Sequence, residues 1–323
     1  AMIPWLREHF GNPASRSHAL GWEAEEAVEK ARAQVAALVG ADPREIIWTS
    51  GATESNNLAL QGLTRRGRRE HLISSPIEHK SVLDCLSSLQ NDGKKVTFLN
   101  VDTDGVVDLD QLQSLLSENA TAVSIMFANN EVGTIQPIDE IGQLARTHGV
   151  TFHCDAAQGV GKVPVNVDSL QIDLLSISAH KFNGPKGIGA LYVRRELQGD
   201  LHAQILGGGH ERGLRSGTLN VPGCVGLGEA CRIAAQELPA EAARIAALRD
   251  RLWTGIQERV STVRLNGHPT KRLPGNLNVS FVDIDAEAIM ANMPEIAVSS
   301  GSACSSAIPS PSYVLRALGM EDP

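Results

Sequence analysis

Short apolar runs alternate with stretches of helical periodicity along most of the chain. In residues 23–39, alanine, valine and leucine recur every three or four positions among charged residues, so a helix is predicted that ends at Gly40. Helical patterns also cover residues 58–63, 109–116 and 141–147. Compact apolar runs predict strands at residues 46–49, 72–75, 96–101, 122–127, 150–154 and 174–178. This alternation predicts an α/β fold with a mainly parallel sheet sandwiched by helices.

The pattern changes character at Pro239. Residues 241–260 form a long amphipathic stretch that predicts a helix, residues 277–281 read as a strand, and residues 312–318 predict a further helix. We therefore expect a large domain over residues 1–238 and a smaller α+β domain over residues 239–323. The smaller domain contains a loop of serine, glycine and alanine around Cys304.

Polar residues follow several of the predicted strands directly. Thr53, Asn130, Asp155 and Lys181 all stand just beyond an apolar run. In open α/β sheets, ligands bind outside the carboxyl ends of the strands. The spacing therefore predicts that these four side chains share one edge of the sheet.

Lys181 and Asp155 together suggest a cofactor. A crowded or desolvated lysine can form a Schiff base, and an aspartate can hold a pyridine nitrogen in its protonated form. Pyridoxal phosphate (PLP) requires both groups. Taken alone, Lys181 has a simpler interpretation, because most lysines are solvated surface charges.

Two further segments near these residues have open interpretations. The turn Ser50-Gly-Ala-Thr-Glu-Ser55, between a strand and a helix, suits a phosphate, but capping of the helix by serine or threonine explains it equally well. His79 precedes another predicted helix and could be only a capping or surface residue.

Two glycine-rich segments resemble nucleotide-binding loops without matching them. Gln158-Gly-Val-Gly-Lys162 has Val163 where a nucleoside-triphosphate loop needs serine or threonine, and Ala156 where it needs the first glycine. Residues 207–218 do not follow the dinucleotide-binding pattern either. A flexible linker is one interpretation of this segment. Its arginines and His210 instead favour an irregular loop that lies close to a ligand.

The cysteines differ in their surroundings. Cys85, Cys224 and Cys231 stand in apolar helical contexts and Cys154 in a predicted strand, as expected of buried structural residues. Cys304 lies among serines and glycine, where an exposed and reactive thiol is expected. An odd number of five cysteines without a Cys-x-x-Cys pair favours a reducing, cytoplasmic compartment.

Composition excludes several classes of protein. The net charge of −8 disfavours a nucleic-acid partner, and no apolar run is long enough to span a membrane. The first residues lack the layout of a signal peptide. We expect no resident metal, although Cys304 is a candidate for transient ligation of a cluster.

In combination, several motifs resemble those of cysteine desulfurases of the NifS/IscS type, within the class V aminotransferase group of fold-type-I PLP enzymes. The motifs are Ser50-Gly-Ala-Thr-Glu-Ser55, Glu78-His-Lys80, Asn129-Asn-Glu131, Asp155-Ala-Ala-Gln158, Ser178-Ala-His-Lys181, Arg215-Ser-Gly-Thr218 and Ser300-Gly-Ser-Ala-Cys304. The resemblance runs from about Phe10 to Gly319. Segments that the family has before residue 1 and after residue 323, including an arginine for the substrate carboxylate, have no counterpart here.

The resemblance implies a role for each matching residue. Lys181 would hold the PLP aldehyde and shuttle protons, Asp155 would pair with the ring nitrogen, and His79 would stack on the ring. Asn130 and Gln158 would lie near the ring hydroxyl and the substrate. The phosphate would be held by Ala52, Thr53, Ser178 and His180, and by Thr218 from the second subunit of a homodimer.

Cys304 would accept sulfur from L-cysteine and pass it to an Fe–S scaffold or another acceptor protein. Three alternatives remain open: a selenocysteine lyase or cysteine-sulfinate-type desulfurase, a catalytically weak paralogue that serves as a scaffold, and an aminotransferase proper. The last has no use for an exposed thiol.

Overall fold

The computed structural model describes residues 1–64, 71–116, 120–299 and 312–320. Its helices are α1 (Ile3–Arg7), α2 (Ala19–Val39), α3 (Ala52–Thr64), α4 (Lys80–Asn91), α5 (Leu109–Leu116), α6 (Ile138–Thr147), α7 (Val221–Gln257), α8 (Ala286–Ala291) and α9 (Tyr313–Ala317). Its strands are β1 (Ile46–Thr49), β2 (His71–Ser74), β3 (Lys95–Phe98), β4 (Ala120–Ser124), β5 (Thr151–Asp155), β6 (Leu174–Ser178), β7 (Gly189–Val193), β8 (Val263–Leu265) and β9 (Val279–Phe281). No helix in these ranges combines the length and hydropathy needed to cross a membrane.

One mixed sheet organises the larger part of the chain. Its strand order is β1-β7-β6-β5-β4-β2-β3, and β7 runs antiparallel to both of its neighbours. The remaining pairs are parallel. The central strands are buried along their whole length, as expected for strands covered on both faces. The predicted α/β fold with a mainly parallel sheet is confirmed, and β8 and β9 form a separate small antiparallel sheet.

Two features differ from the prediction. First, β7 was not among the predicted strands, because its apolar segment directly follows a turn rich in glycine and proline. Second, the helix predicted to begin after Pro239 instead begins at Val221 and continues through the proline. Proline removes one backbone donor from a helix, but α7 packs closely along α2: a Cβ on Gly228 would come within 2.6 Å of Ala31 Cα. The predicted domain boundary therefore lies within one continuous helix.

A buried ion pair connects α2 with the glycine-rich loop. Arg32 makes two hydrogen bonds with the carboxylate of Glu211, at 2.8 and 2.9 Å. The same carboxylate accepts a hydrogen bond from the backbone N–H of Trp48, and Arg32 donates to the carbonyl of Ile46. A bidentate, fully hydrogen-bonded pair of this kind can tolerate burial. It holds the loop against β1.

His153 connects three neighbouring strands in the centre of the sheet. Its Nδ1 lies 2.8 Å from Ser124 Oγ on β4, and its Nε2 lies 3.0 Å from Ser176 Oγ on β6. The ring is completely buried. Burial lowers the pKa of His153 to about 3, so the ring stays neutral in the folded protein.

We expect His153 to make the protein sensitive to acid. Its pKa is about 6.5 in an unfolded chain and about 3 in the folded one, so the unfolded state binds more protons between these values. The histidine therefore stabilises the fold fully above pH 6.5, and this contribution decreases as the pH falls towards 3. The slope is about 1.4 kcal/mol per pH unit.

Urea unfolding of His153→Gln between pH 7 and pH 4.5 measures this contribution. The variant is expected to be less stable at pH 7 and to lose stability less steeply on acidification. The control is His148→Gln, at the half-buried end of α6, which should keep the wild-type slope. Equal slopes in His153→Gln and wild type would contradict the assignment.

Candidate active site

The structure brings most of the predicted site residues to one edge of the sheet. Asp155 is the last residue of β5, and Ser178 is the last residue of β6. Lys181 lies in a short 3₁₀ turn directly after β6. The turn between β1 and α3 reaches the same edge, because Gly189 at the start of β7 pairs with both Thr49 and Ser178. Parallel strands end together here, as in other α/β ligand sites.

Asp155 is connected to His79 through two intervening side chains. Its Oδ2 accepts a hydrogen bond from Asn56 Nδ2 at 2.7 Å, and its Oδ1 accepts one from the backbone N–H of Ala157. Asn56 Nδ2 also donates to Ser81 Oγ, which lies 2.8 Å from His79 Nδ1. A carboxylate can accept about four hydrogen bonds, so Asp155 can still accept one from a donor on the open side of the site.

His79 is the N-cap of α4 and also part of the site. Its Nδ1 accepts a hydrogen bond from the backbone N–H of Ser81 at 3.1 Å. An Nδ1 that accepts leaves the proton of the neutral ring on Nε2. The cap therefore fixes both the orientation and the tautomer of a half-buried imidazole.

The turn between β1 and α3 forms a cradle for an anion. At the start of the helix, the N–H groups of Ala52 and Thr53 donate to no residue in the described ranges. Gly51 has φ +152°, and a Cβ there would meet only Ser178 Oγ, at 3.9 Å. Free N–H groups, the positive end of a helix dipole and a nearby hydroxyl suit a phosphate.

Lys181 and three neighbouring residues, Lys162, His180 and Lys186, form a group of basic side chains. Lys162 donates a hydrogen bond to Gln158 Oε1 at 2.5 Å. Burial, and secondly the charge of Lys181, lower the pKa of Lys162 to about 8. Burial, followed by the charges of Lys181, Lys186 and Lys162, also lowers the pKa of the exposed His180. The closeness of these cations favours loss of a proton from one of them.

Glu78 is a buried acid behind this edge. Its Oε1 accepts a hydrogen bond from the backbone N–H of Met126, whereas Oε2 has no partner in the described part of the chain. Burial raises the pKa of Glu78 well above its ordinary value. The hydrogen bond from Met126 opposes this shift, and the charge of Asp155 adds to it. Its burial therefore favours the protonated form of Glu78 far more than exposure to water would.

Three predicted site residues are not joined to these groups. Asn130 is half-buried, and its Oδ1 is buried without a hydrogen-bond partner among the described residues. Thr218 is exposed in the segment that leads into α7. Cys304 lies outside the described residues.

The four cysteines predicted to be structural are buried free thiols, and burial raises the pKa of each. Across the described ranges, no three histidine, cysteine or acidic side chains cluster in a way that could hold a metal ion.

Sequence reasoning missed Asn56, Glu78 and Lys162. Asn56 directly follows the recognised Ser50–Ser55 segment, one helical turn after Ala52, and that spacing was its only signal. Glu78 adjoins His79, but nothing in the sequence distinguishes this buried glutamate from an exposed one. Lys162 belongs to the glycine-rich segment that resembles a nucleotide-binding loop without matching it, and no other role was considered for it.

Comparison with known proteins identifies the family. The model of the class V aminotransferases matches residues 1–320. The chain belongs to this family. It is 54% identical over 324 residues to a cysteine desulfurase IscS of Anaeromyxobacter sp. (strain Fw109-5), an alignment that covers all of this chain and 80% of the relative.

Two solved structures are also similar. One, described as a NifS-like protein, superposes with a TM-score of 0.91 at 40% identity, covering 98% of this chain and 84% of the other. A second, described as SspA in complex with cysteine, has a TM-score of 0.87 at 39% identity, covering 99% and 90%.

Family membership implies the cofactor PLP, and the residues of the site fit it. The free N–H groups at the start of α3 match its phosphate. Asp155 retains acceptor capacity for the ring nitrogen, and Lys181 supplies a primary amine on the same edge. These three groups correspond to the phosphate, pyridine and aldehyde of PLP.

Gly189 allows β7 to approach the phosphate cradle closely. A Cβ at this position would come within 2.4 Å of the carbonyl oxygen of Ile177 and 2.6 Å of Gly51 Cα. Both are backbone atoms, so the Gly51 turn would have to move. Gly189→Ala is expected to cost about 2 kcal/mol of stability and to weaken PLP binding.

Thermal unfolding and equilibrium dialysis against PLP test this expectation. The matched control is Gly199→Ala, because a Cβ on Gly199 meets nothing within 4 Å. Wild-type PLP affinity in Gly189→Ala would contradict the close approach.

Proposed function

We propose that this chain is a PLP-dependent cysteine desulfurase, which converts L-cysteine to L-alanine. The observation that carries the proposal is the meeting of Asp155, Lys181 and the free N–H groups of the α3 start at one sheet edge. The chain is 54% identical over its whole length to a cysteine desulfurase, which supports L-cysteine as the substrate.

Bound PLP supplies an electron sink that makes the Cβ–Sγ bond of the substrate labile. The residues of the chain position PLP and the substrate, and they move protons. Asp155, held by Asn56 and Ala157, would present its carboxylate to the ring nitrogen. Lys181, among neighbouring cations, takes up and returns protons at the substrate carbon atoms. His79, fixed by its cap, offers Nε2–H towards the open side.

We assign the sulfur step to Cys304. Its thiolate attacks the substrate sulfur, and a Cys304 persulfide forms as the Cβ–Sγ bond breaks. The electron pair of that bond stays on carbon, which takes a proton to give alanine. No external oxidant or reductant is needed, because one thiol and one cysteine yield one persulfide and one alanine.

We further propose that the protein acts as a homodimer and passes its sulfur to an acceptor such as an Fe–S scaffold. Thr218 is exposed and would reach a phosphate in a second copy. Large apolar side chains are also exposed, among them Phe10, Trp22 and Leu206. The four buried free thiols support a reducing, cytoplasmic-type compartment.

The deciding experiment is the product balance of the purified protein with PLP, L-cysteine and a reducing thiol. Equal amounts of alanine and sulfide are expected. A protein that binds PLP and produces neither would favour a catalytically weak scaffold. Efficient release of selenide from selenocysteine without sulfide from cysteine would favour a selenocysteine lyase, and amino-group transfer to a keto acid would favour an aminotransferase.

A further inference from the structure

The site contains a second lysine that the proposed chemistry does not use. Lys162 is half-buried beside Lys181, although only one amine is needed to hold an aldehyde. Bringing two ammonium groups together and desolvating one of them costs free energy. Such an arrangement calls for a compensating role.

Close packing fixes the position of Lys162. The turn that carries it is closed by hydrogen bonds from the N–H groups of Gly159 and Val160 to the carbonyl of Ala156, next to Asp155. A Cβ on Gly161 would come within 2.6 Å of the Phe182 ring, and Gly161 has φ +75°. Phe182 directly follows Lys181, so the glycine contact sets Lys162 against the Lys181 turn.

The hydrogen bond to Gln158 has a defined direction. A lysine ammonium has three donors and no acceptor, so the atom of Gln158 that faces it must be the carbonyl oxygen Oε1. The amide nitrogen Nε2 then points away from Lys162. Within the described ranges, no residue accepts a hydrogen bond from Nε2.

The resemblance to cysteine desulfurases already implies that Gln158 lies near the ring hydroxyl of PLP. We propose that Lys162 is a positioning residue: its hydrogen bond to Oε1 fixes the side-chain amide of Gln158, so that Nε2 is the atom that donates to the ring hydroxyl oxygen. The inference rests on the proposed function. The phosphate and ring nitrogen have their own partners in the α3 start and Asp155. The ring hydroxyl, next to the aldehyde, is the remaining polar group on the Lys181 side.

A double-mutant cycle on PLP affinity tests the coupling. Lys162→Met removes the donor and keeps the length of the side chain, and Gln158→Leu removes the amide. Each is expected to weaken PLP binding about tenfold, and the double variant no more than either alone, because both remove one oriented hydrogen bond. Lys162→Arg keeps a donor-only cation and should stay within about threefold of wild type.

The measurement is equilibrium dialysis with PLP on protein freed of cofactor, with thermal unfolding without PLP as a check of the fold. Additive losses would show that Lys162 acts on Lys181 directly and would overturn the proposal, as would unchanged affinity in Lys162→Met. Wild type that binds no PLP would contradict the proposed function and this inference with it.

Gln158→Glu tests the same hydrogen bond without a change at Lys162. A glutamate can still accept a hydrogen bond from Lys162, but it presents an acceptor to the ring oxygen where the amide presents a donor. We expect weaker PLP binding than in Gln158→Leu. Wild-type affinity in Gln158→Glu would overturn the proposal even if the Lys162 variants failed to fold.

Discussion

Lys181→Ala is expected to abolish cysteine desulfuration, with a fall in sulfide formation of about 1,000-fold or more. The variant loses the amine that holds the PLP aldehyde and also the group that moves protons at the substrate. Neighbouring basic side chains cannot replace it: Lys162 is hydrogen-bonded to Gln158, and His180 is exposed. Sulfide release and PLP retention after dialysis should fall together.

Lys186→Ala is the matched control for this loss. Lys186 lies five residues further along the same loop, is exposed, and contributes to the positive potential around His180. Its removal should leave sulfide formation within about twofold of wild type, since exposed charges interact weakly with a site. Normal turnover in Lys181→Ala, or equal losses in both variants, would contradict the role given to Lys181.

Cys304→Ala is expected to separate cofactor binding from sulfur transfer. PLP affinity should match that of wild type, because Asp155, Lys181 and the α3 start are unchanged. Sulfide formation should fall at least about 100-fold, because no thiolate remains to accept the sulfur. The measurement combines PLP dialysis with sulfide and alanine assays, and with mass spectrometry for the persulfide.

Cys85→Ala is the control for thiol chemistry. The Cys85 side chain is buried, and burial raises its pKa, so its thiolate is scarce at neutral pH. This variant should keep sulfide formation even if it loses some stability. Full activity in Cys304→Ala, or a persulfide on Cys85, would require a different sulfur acceptor.

The fold was predictable where one local pattern decided the structure. The strand at residues 174–178 is continuously apolar apart from its serines, and β6 has the same bounds. The helix predicted at residues 241–260 is present within α7, but its predicted beginning was wrong. Pro239 is a local signal, whereas the continuity of α7 depends on packing against α2, about 200 residues earlier. The predicted boundary between two domains stays a prediction.

The candidate site was predictable where residues follow strands. Asp155 and Lys181 were recognised because the end of a buried strand is a position of known meaning. Asn56 was missed because its importance depends on Asp155, 99 positions away. The sequence shows the residue types and their order, but the contact exists only after the sheet has brought β5 beside α3.

The ion pair between Arg32 and Glu211 also protects the sheet from other chains. β1 pairs on one side only, so its outer backbone groups could accept a foreign strand. The outward carbonyl of Ile46 is occupied by Arg32 and Arg212, and the outward N–H of Trp48 by Glu211. A foreign strand can therefore pair with β1 only after the buried salt bridge between Arg32 and Glu211 has opened. The loop that carries Glu211 thus prevents aggregation at this edge of the sheet.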